Sequence, residues 1–171
     1  SNRLIGVQSG SDEIRDDYLR SGQRHSKTVS GTRTLFDLDG GNVVLEQQEG
    51  AVSAKYLRAQ NLISATTGGA ERYYLYNGHG DVVQMADYGG MVTKTYAYDS
   101  LGNERNPVET DWNPFRHFGE YLDKETGDNS LRASYKSPPI GRVTQVDTHR
   151  NVGNMIYGDD PLPLNTNTYT R

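Results

Sequence analysis

Residues Tyr74–Gln84 read YLYNGHGDVVQ, and the fold turns on how the middle of this stretch is taken. Asn77-Gly78-His79-Gly80-Asp81 sets a histidine and an aspartate on a glycine-rich loop, as a catalytic or metal site would. The same residues suit a turn between two strands, because Asn and Gly readily take the left-handed backbone that tight hairpins need. The tie is broken by Tyr96–Asn103, which reads YAYDSLGN at an offset of 22 residues. Tyr74, Tyr76, Asn77 and Gly80 fall on Tyr96, Tyr98, Asp99 and Gly102, while Leu101 takes the place of His79. The tyrosines and the glycine are the recurring part, so the stretch is read as a hairpin turn.

A second self-match runs from Asn42–Tyr56 onto Asp81–Tyr96 with one residue gapped, bringing Gly50, Val52 and Tyr56 onto Gly90, Val92 and Tyr96. Such self-similarity marks an array whose hairpins bury their apolar faces on their neighbours. Short β-branched and aromatic runs predict strands over 32–38, 42–47, 52–58, 72–76, 81–85 and 91–98, each bounded by a glycine-bearing turn. The composition agrees. Twelve tyrosines stand beside 3 Phe and 1 Trp, and tyrosine suits a half-buried pleated surface on which its hydroxyl still finds a partner.

The 171 residues carry 18 Lys plus Arg against 22 Asp plus Glu, a net charge of -4. That balance lacks the basic field of non-specific nucleic-acid binding, so nucleic acid is not an expected partner. There is no cysteine, hence no disulfide and no thiolate metal site. The first twenty residues hold no signal-peptide core, and no run is long enough to span a bilayer.

After Gly102 the texture changes. A polar, proline-bounded segment, NPVETDWNP (106–114), leads into FRHFGEYLDKETG (115–127) and then LRASYKSPPIGRVTQVDT (131–148). With the tyrosine-aspartate repeats, these two blocks resemble the YD-repeat, or rearrangement hot spot (Rhs), family, over roughly residues 17–157. Its members include bacterial polymorphic toxins, the C component of insecticidal toxin complexes and the YD shell of teneurins.

The resemblance implies an all-β fold of antiparallel hairpin repeats that form part of a hollow shell, with an irregular C-terminal plug. The expected divisions are a variable segment (1–16), hairpin repeats (17–105), a linker (106–114), the Rhs-associated core motif (115–157) and a polar, truncated tail (158–171). The residues carrying the repeat are Tyr74, Tyr76, Asn77, Gly80, Tyr96, Tyr98, Asp99 and Gly102. Those carrying the core motif are Gly119, Glu120, Tyr121, Asp123, Gly127, Leu131, Arg132, Gly141 and Arg142. The implied partners are the rest of the shell and a C-terminal toxin domain, within a larger secreted or cell-surface bacterial protein.

Family members also cleave themselves through two aspartates helped by an arginine, since two close carboxylates hold one proton between them. Here Asp147 matches the second aspartate, but Ser137 and Ser134 stand where the first aspartate and the arginine belong. Asp147 is therefore read as a remnant, and no catalytic residue is expected.

Other chemistries find little support. His25, His79, His117 and His149 fall in separate segments without a ligand spacing, so a metal site would need distant residues to converge, and neither metal nor cofactor is expected. No nucleophile elbow is present. Glu120, Asp123 and Glu125 cluster as glycosidase carboxylates would, but their match to the core motif favours a structural role. The sequence thus reads as a non-enzymatic piece of a shell that encapsulates and presents a toxin; the alternative is a module that binds cell-surface carbohydrate through its tyrosines.

Overall fold

The computed structural model describes residues 5–132 and 134–144. Ten strands form one antiparallel sheet in sequence order: β1 (Gly6–Ser9), β2 (Asp12–Tyr18), β3 (Arg24–Val29), β4 (Thr32–Asp39), β5 (Asn42–Gln48), β6 (Ala51–Arg58), β7 (Leu62–Thr67), β8 (Ala70–Tyr76), β9 (Val82–Ala86) and β10 (Val92–Thr95). A second sheet joins β11 (Tyr121–Asp123), β12 (Asp128–Ser130), β13 (Tyr135–Ser137) and β14 (Arg142–Val143). The only helical pieces among the described residues are single 3-10 turns at His117–Gly119 and Pro138–Ile140. The chain is all-β and antiparallel, as its repeats imply.

Two kinds of turn build the large sheet. Two-residue turns join β3 to β4, β4 to β5, β5 to β6 and β7 to β8, and both central residues have positive φ: Ser30-Gly31, Gly40-Gly41, Glu49-Gly50 and Gly68-Gly69. This conformation matches the natural twist of the flanking strands. The second kind is a five-residue loop. In Asn77–Asp81 the first N–H donates to the last carbonyl, and the glycine N–H donates to the first carbonyl. The same pair of bonds closes Leu19–Gln23, Asp87–Met91, Asp99–Asn103 and Arg116–Glu120, each with a positive-φ glycine fourth.

Several predicted strands were displaced by a residue or more. Asp81 lies in the turn, β9 starts at Val82, and β10 ends at Thr95, before Tyr96 and Tyr98. Strands β1, β2, β3 and β7 carried no sequence signal that singled them out. Their core-facing positions include Asp16, Arg24, Ser26 and Ser64, all buried, so the polar residues hide the alternation that marks a half-buried strand.

Bulges displace the register between Asp17 and Tyr18, Asp37 and Leu38, Leu57 and Arg58, and Leu75 and Tyr76, just before turns at one end of the sheet. A bulge increases local twist and bends its strand. On the inner face Phe36, Tyr56, Tyr74 and Tyr96 form one buried cluster with Phe115 and Tyr121 from the segment that follows the sheet. The rings meet edge to face: Tyr56 with Phe115 at 4.9 Å between centroids, Phe115 with Tyr121 at 5.5 Å and Phe36 with Tyr121 at 5.6 Å. This is the favoured geometry for aromatic quadrupoles, and it places the plug on the sheet.

Candidate functional site

The repeat tyrosines divide into two roles. The second of each pair fastens one hairpin to another: Tyr76 donates its hydroxyl to the Leu62 carbonyl at 2.8 Å, and Tyr98 donates to the Val82 carbonyl at 2.8 Å. The first of each pair reaches the segment after the sheet. Tyr74 donates to Asn113 Oδ1 at 2.7 Å and Tyr96 to Asp111 Oδ2 at 2.9 Å. Burial pushes the hydroxyls of all four above the ordinary phenol value, Tyr76 to about 12. They remain neutral donors.

Asp111 and Asn113 are 2% and 0% exposed, although the sequence around them reads as a polar linker. Asn113 also accepts from the Phe115 N–H and donates to the Phe115 carbonyl, so it shapes the backbone that presents that ring. Asp111 pairs with Arg116 at 3.0 Å, and Arg116 pairs with Glu104 at 3.0 Å while lying over the Tyr96 ring. The sequence reading missed both residues. Their one signal was the Asp-x-Asn spacing before Pro114.

A second buried cluster joins the start of the sheet to the core motif. Arg24 bonds Asp123 at 2.5 Å, approaches Asp16 at 3.5 Å and donates to the Tyr135 hydroxyl at 3.0 Å. Lys27 adds contacts to Asp123 at 3.1 Å and Glu125 at 2.9 Å. Burial alone would raise the Asp123 carboxyl, but Arg24 and Lys27 hold it below the ordinary range. For Asp16 burial prevails over Arg24 and the Tyr135 hydrogen bond, so its carboxyl is pushed up. Tyr56 and Tyr121 both donate to Glu46 Oε1, at 2.8 and 3.0 Å.

The other core-motif residues are spread along the second sheet. Gly119, Gly127 and Gly141 have positive φ in turns, as has Arg132, whose guanidinium donates to Asn42 at 3.1 Å. The Leu131 N–H donates to the Ser134 carbonyl at 2.7 Å. Burial raises the half-buried Glu120, Arg142 is exposed on β14, and Ser137 is hydrogen-bonded to Asp128. Asp147 lies outside the described residues, so no aspartate pair can be drawn there.

Two of the four histidines do not stay apart. His117 Nδ1 lies 2.7 Å from Asp81 Oδ1 and His79 Nδ1 lies 3.1 Å from Asp81 Oδ2. His117 is buried, and burial keeps its imidazole below the ordinary value despite Asp81. Burial would raise Asp81 as well, but the Phe118 N–H, Asn77 and His79 bring it below the ordinary range. The sequence shows only separate histidines because the plug turn, folding over the hairpin turn, creates the cluster.

No family model matches the chain. Among curated proteins it is 34% identical over 138 residues to the tRNA3(Ser)-specific nuclease WapA of Bacillus spizizenii, covering 76% of this chain and 6% of that protein. It is 33% identical over 161 residues to the tRNA(Glu)-specific nuclease WapA of Bacillus subtilis subsp. natto, covering 90% of this chain and 7% of that protein. Among solved structures, TcdB2-TccC3-TEV aligns with TM-score 0.64 at 18% identity over 83% of this chain and 8% of that one. The Photorhabdus luminescens Tc holotoxin pore carrying TccC3-D651A aligns with TM-score 0.60 at 18% identity, over 96% and 8% of the two chains.

These relatives correct the sequence reading. A purely non-enzymatic shell piece, with carbohydrate binding as the alternative, does not stand beside relatives named for tRNA cleavage. The expectation of no nucleic-acid partner has no support either way, because the charge of -4 belongs to a chain spanning only 6% and 7% of those proteins. Among the described residues no helix is long and apolar enough to cross a membrane. Sequence likeness to the WapA nucleases and fold likeness to the Tc toxin component together make the chain, at that broad level, an Rhs/YD-repeat protein.

Proposed function

We propose that this chain serves within a tRNA nuclease toxin of the WapA kind, as part of the wall and closing plug of a β-shell that houses the toxin before delivery from the cell surface. The observation that carries the reading is the 33% identity over 90% of the chain to a tRNA(Glu)-specific nuclease WapA. The geometry suits a wall. The inner face of the sheet is sealed by aromatic packing, and Tyr74 and Tyr96 fix the plug through Asn113 and Asp111. The described part of the core motif, from Phe115 to Thr144, and the repeats 17–105 then act as one unit, with 106–114 as the strap between them.

The test is to incubate the toxin that carries this chain with total tRNA and ribosomal RNA and resolve the products on a denaturing gel. Discrete tRNA fragments are expected, with ribosomal RNA intact. Uncut tRNA, or equal cutting of all RNA, overturns the reading.

A further inference from the structure

His79, Asp81 and His117 come from two turns far apart in sequence, yet one donor atom from each lies within 4.8 Å of the others. His79 and Asp81 sit on the five-residue loop between β8 and β9, and His117 sits on the equivalent loop of the plug. We propose that these three side chains form a binding site for a divalent transition metal ion, zinc in the first place, which clamps the hairpin turn to the plug turn. The inference stands independently of the nuclease reading.

Four observations carry it. The first is the position of His117, which is 5% exposed and holds its buried Nδ1 2.7 Å from Asp81 Oδ1, so that two potential ligand atoms already face each other. The second is the support behind the carboxylate: Phe118 N–H donates to Asp81 Oδ1 at 2.9 Å and Asn77 Nδ2 donates to Oδ2 at 2.9 Å. Outer hydrogen bonds of this kind orient a ligating carboxylate.

The third is the space around His117. A Cβ on Gly102 would lie 2.3 Å from His117 Cδ2, so the ring rests directly against a glycine backbone and cannot swing that way. The fourth is the contrast within the repeat. The sister loop 99–103 closes with the same backbone bonds but carries Leu101 and Asn103 where the first carries His79 and Asp81. The turn therefore does not need the histidine, while Asp81 keeps the side-chain bond to the first loop residue that Asn103 makes to Asp99 in the sister loop.

The donor set selects the ion. Two imidazoles and one carboxylate suit zinc and its first-row neighbours better than calcium or magnesium, which prefer all-oxygen shells. A tetrahedral ion with bonds of about 2 Å separates its ligands by about 3.3 Å, so the contacts of 2.7 and 3.1 Å, made to the two different oxygens of Asp81, would open slightly while the wider donor separations, all within 4.8 Å, close onto the ion. The His79 side chain is 59% exposed, which leaves the remaining coordination position to water. Lys136, whose ammonium lies 5.6 Å from the Phe118 ring, is a nearby cation that opposes binding.

The experiment strips the full 171-residue chain with a chelator and titrates it with zinc chloride by calorimetry, with cobalt(II) absorption as the spectroscopic check. One ion per chain and a raised unfolding temperature are expected. His79→Leu installs the residue of the sister loop, and Asp81→Asn keeps an oxygen for the Phe118 N–H; each should weaken zinc binding at least about tenfold without lowering the metal-free unfolding temperature comparably. No zinc binding by the unaltered chain, or undiminished binding by both variants, overturns the proposal.

Discussion

Asp16 and Asp123 both contact Arg24, and their side chains are 4% and 5% exposed, yet their replacement should have very different effects. Asp123 accepts from Arg24 at 2.5 Å and from Lys27 at 3.1 Å, so Asp123→Asn strips the charge that neutralises two buried cations. Breaking a buried pair in this way costs about 3 to 5 kcal/mol. Asp16 is 3.5 Å from Arg24, and its best bond is from the Tyr135 hydroxyl at 2.7 Å, which an asparagine oxygen still accepts. Asp16→Asn should therefore cost less than about 1 kcal/mol. Urea unfolding of the full chain at pH 7 reads both.

The pH dependence separates the two further. Asp123 has a folded pKa below the unfolded value of about 3.9, so its stabilisation is present above that value and is lost as the pH falls through the folded pKa. Asp16 has a raised folded pKa, so ionising it destabilises the fold as the pH rises from about 4. Asp16→Asn should abolish that second slope and leave the first. Equal losses for the two variants, or a larger one for Asp16→Asn, would refute the view that Asp123 is the counter-ion of this cluster.

Three further outcomes are open to the same unfolding assay. Gly80 and Gly102 occupy the same place in the repeat at φ +90 and +93, but a Cβ at Gly80 meets open space whereas one at Gly102 strikes His117. Gly80→Ala should lose about 1 to 3 kcal/mol from backbone strain and Gly102→Ala clearly more; equal losses would count against the packing of His117. Tyr96→Ala should cost about 3 to 5 kcal/mol and the half-buried Tyr98→Ala less, so a larger loss at Tyr98 would reverse the assignment of Tyr96 to the core. Glu46→Ala removes the acceptor shared by Tyr56 and Tyr121 and should cost about 2 to 4 kcal/mol, with Glu46→Gln much milder; the reverse order would remove Glu46 from that role.

The enzymatic question shows how far residue patterns reach. The absence of a nucleophile elbow and the serines at 134 and 137 describe only the residues present, and the relatives extend more than tenfold beyond them. Arguments from charge and missing motifs therefore had no hold on the activity of a protein of that size.

The sequence by itself determined the hairpin array. A positive-φ glycine and a tyrosine pair act within one turn and the strand beside it, so Tyr74–Asp81 and Tyr96–Asn103 declare their conformation locally. The tertiary structure alone decided which side chains meet across the plug. Asp111 and Asn113 look like linker residues until the tyrosine hydroxyls bury them, and His117 looks like a lone histidine until its turn settles on Asp81. Contacts between elements that far apart follow no local period, because they depend on how a curved sheet closes over the segment that comes after it.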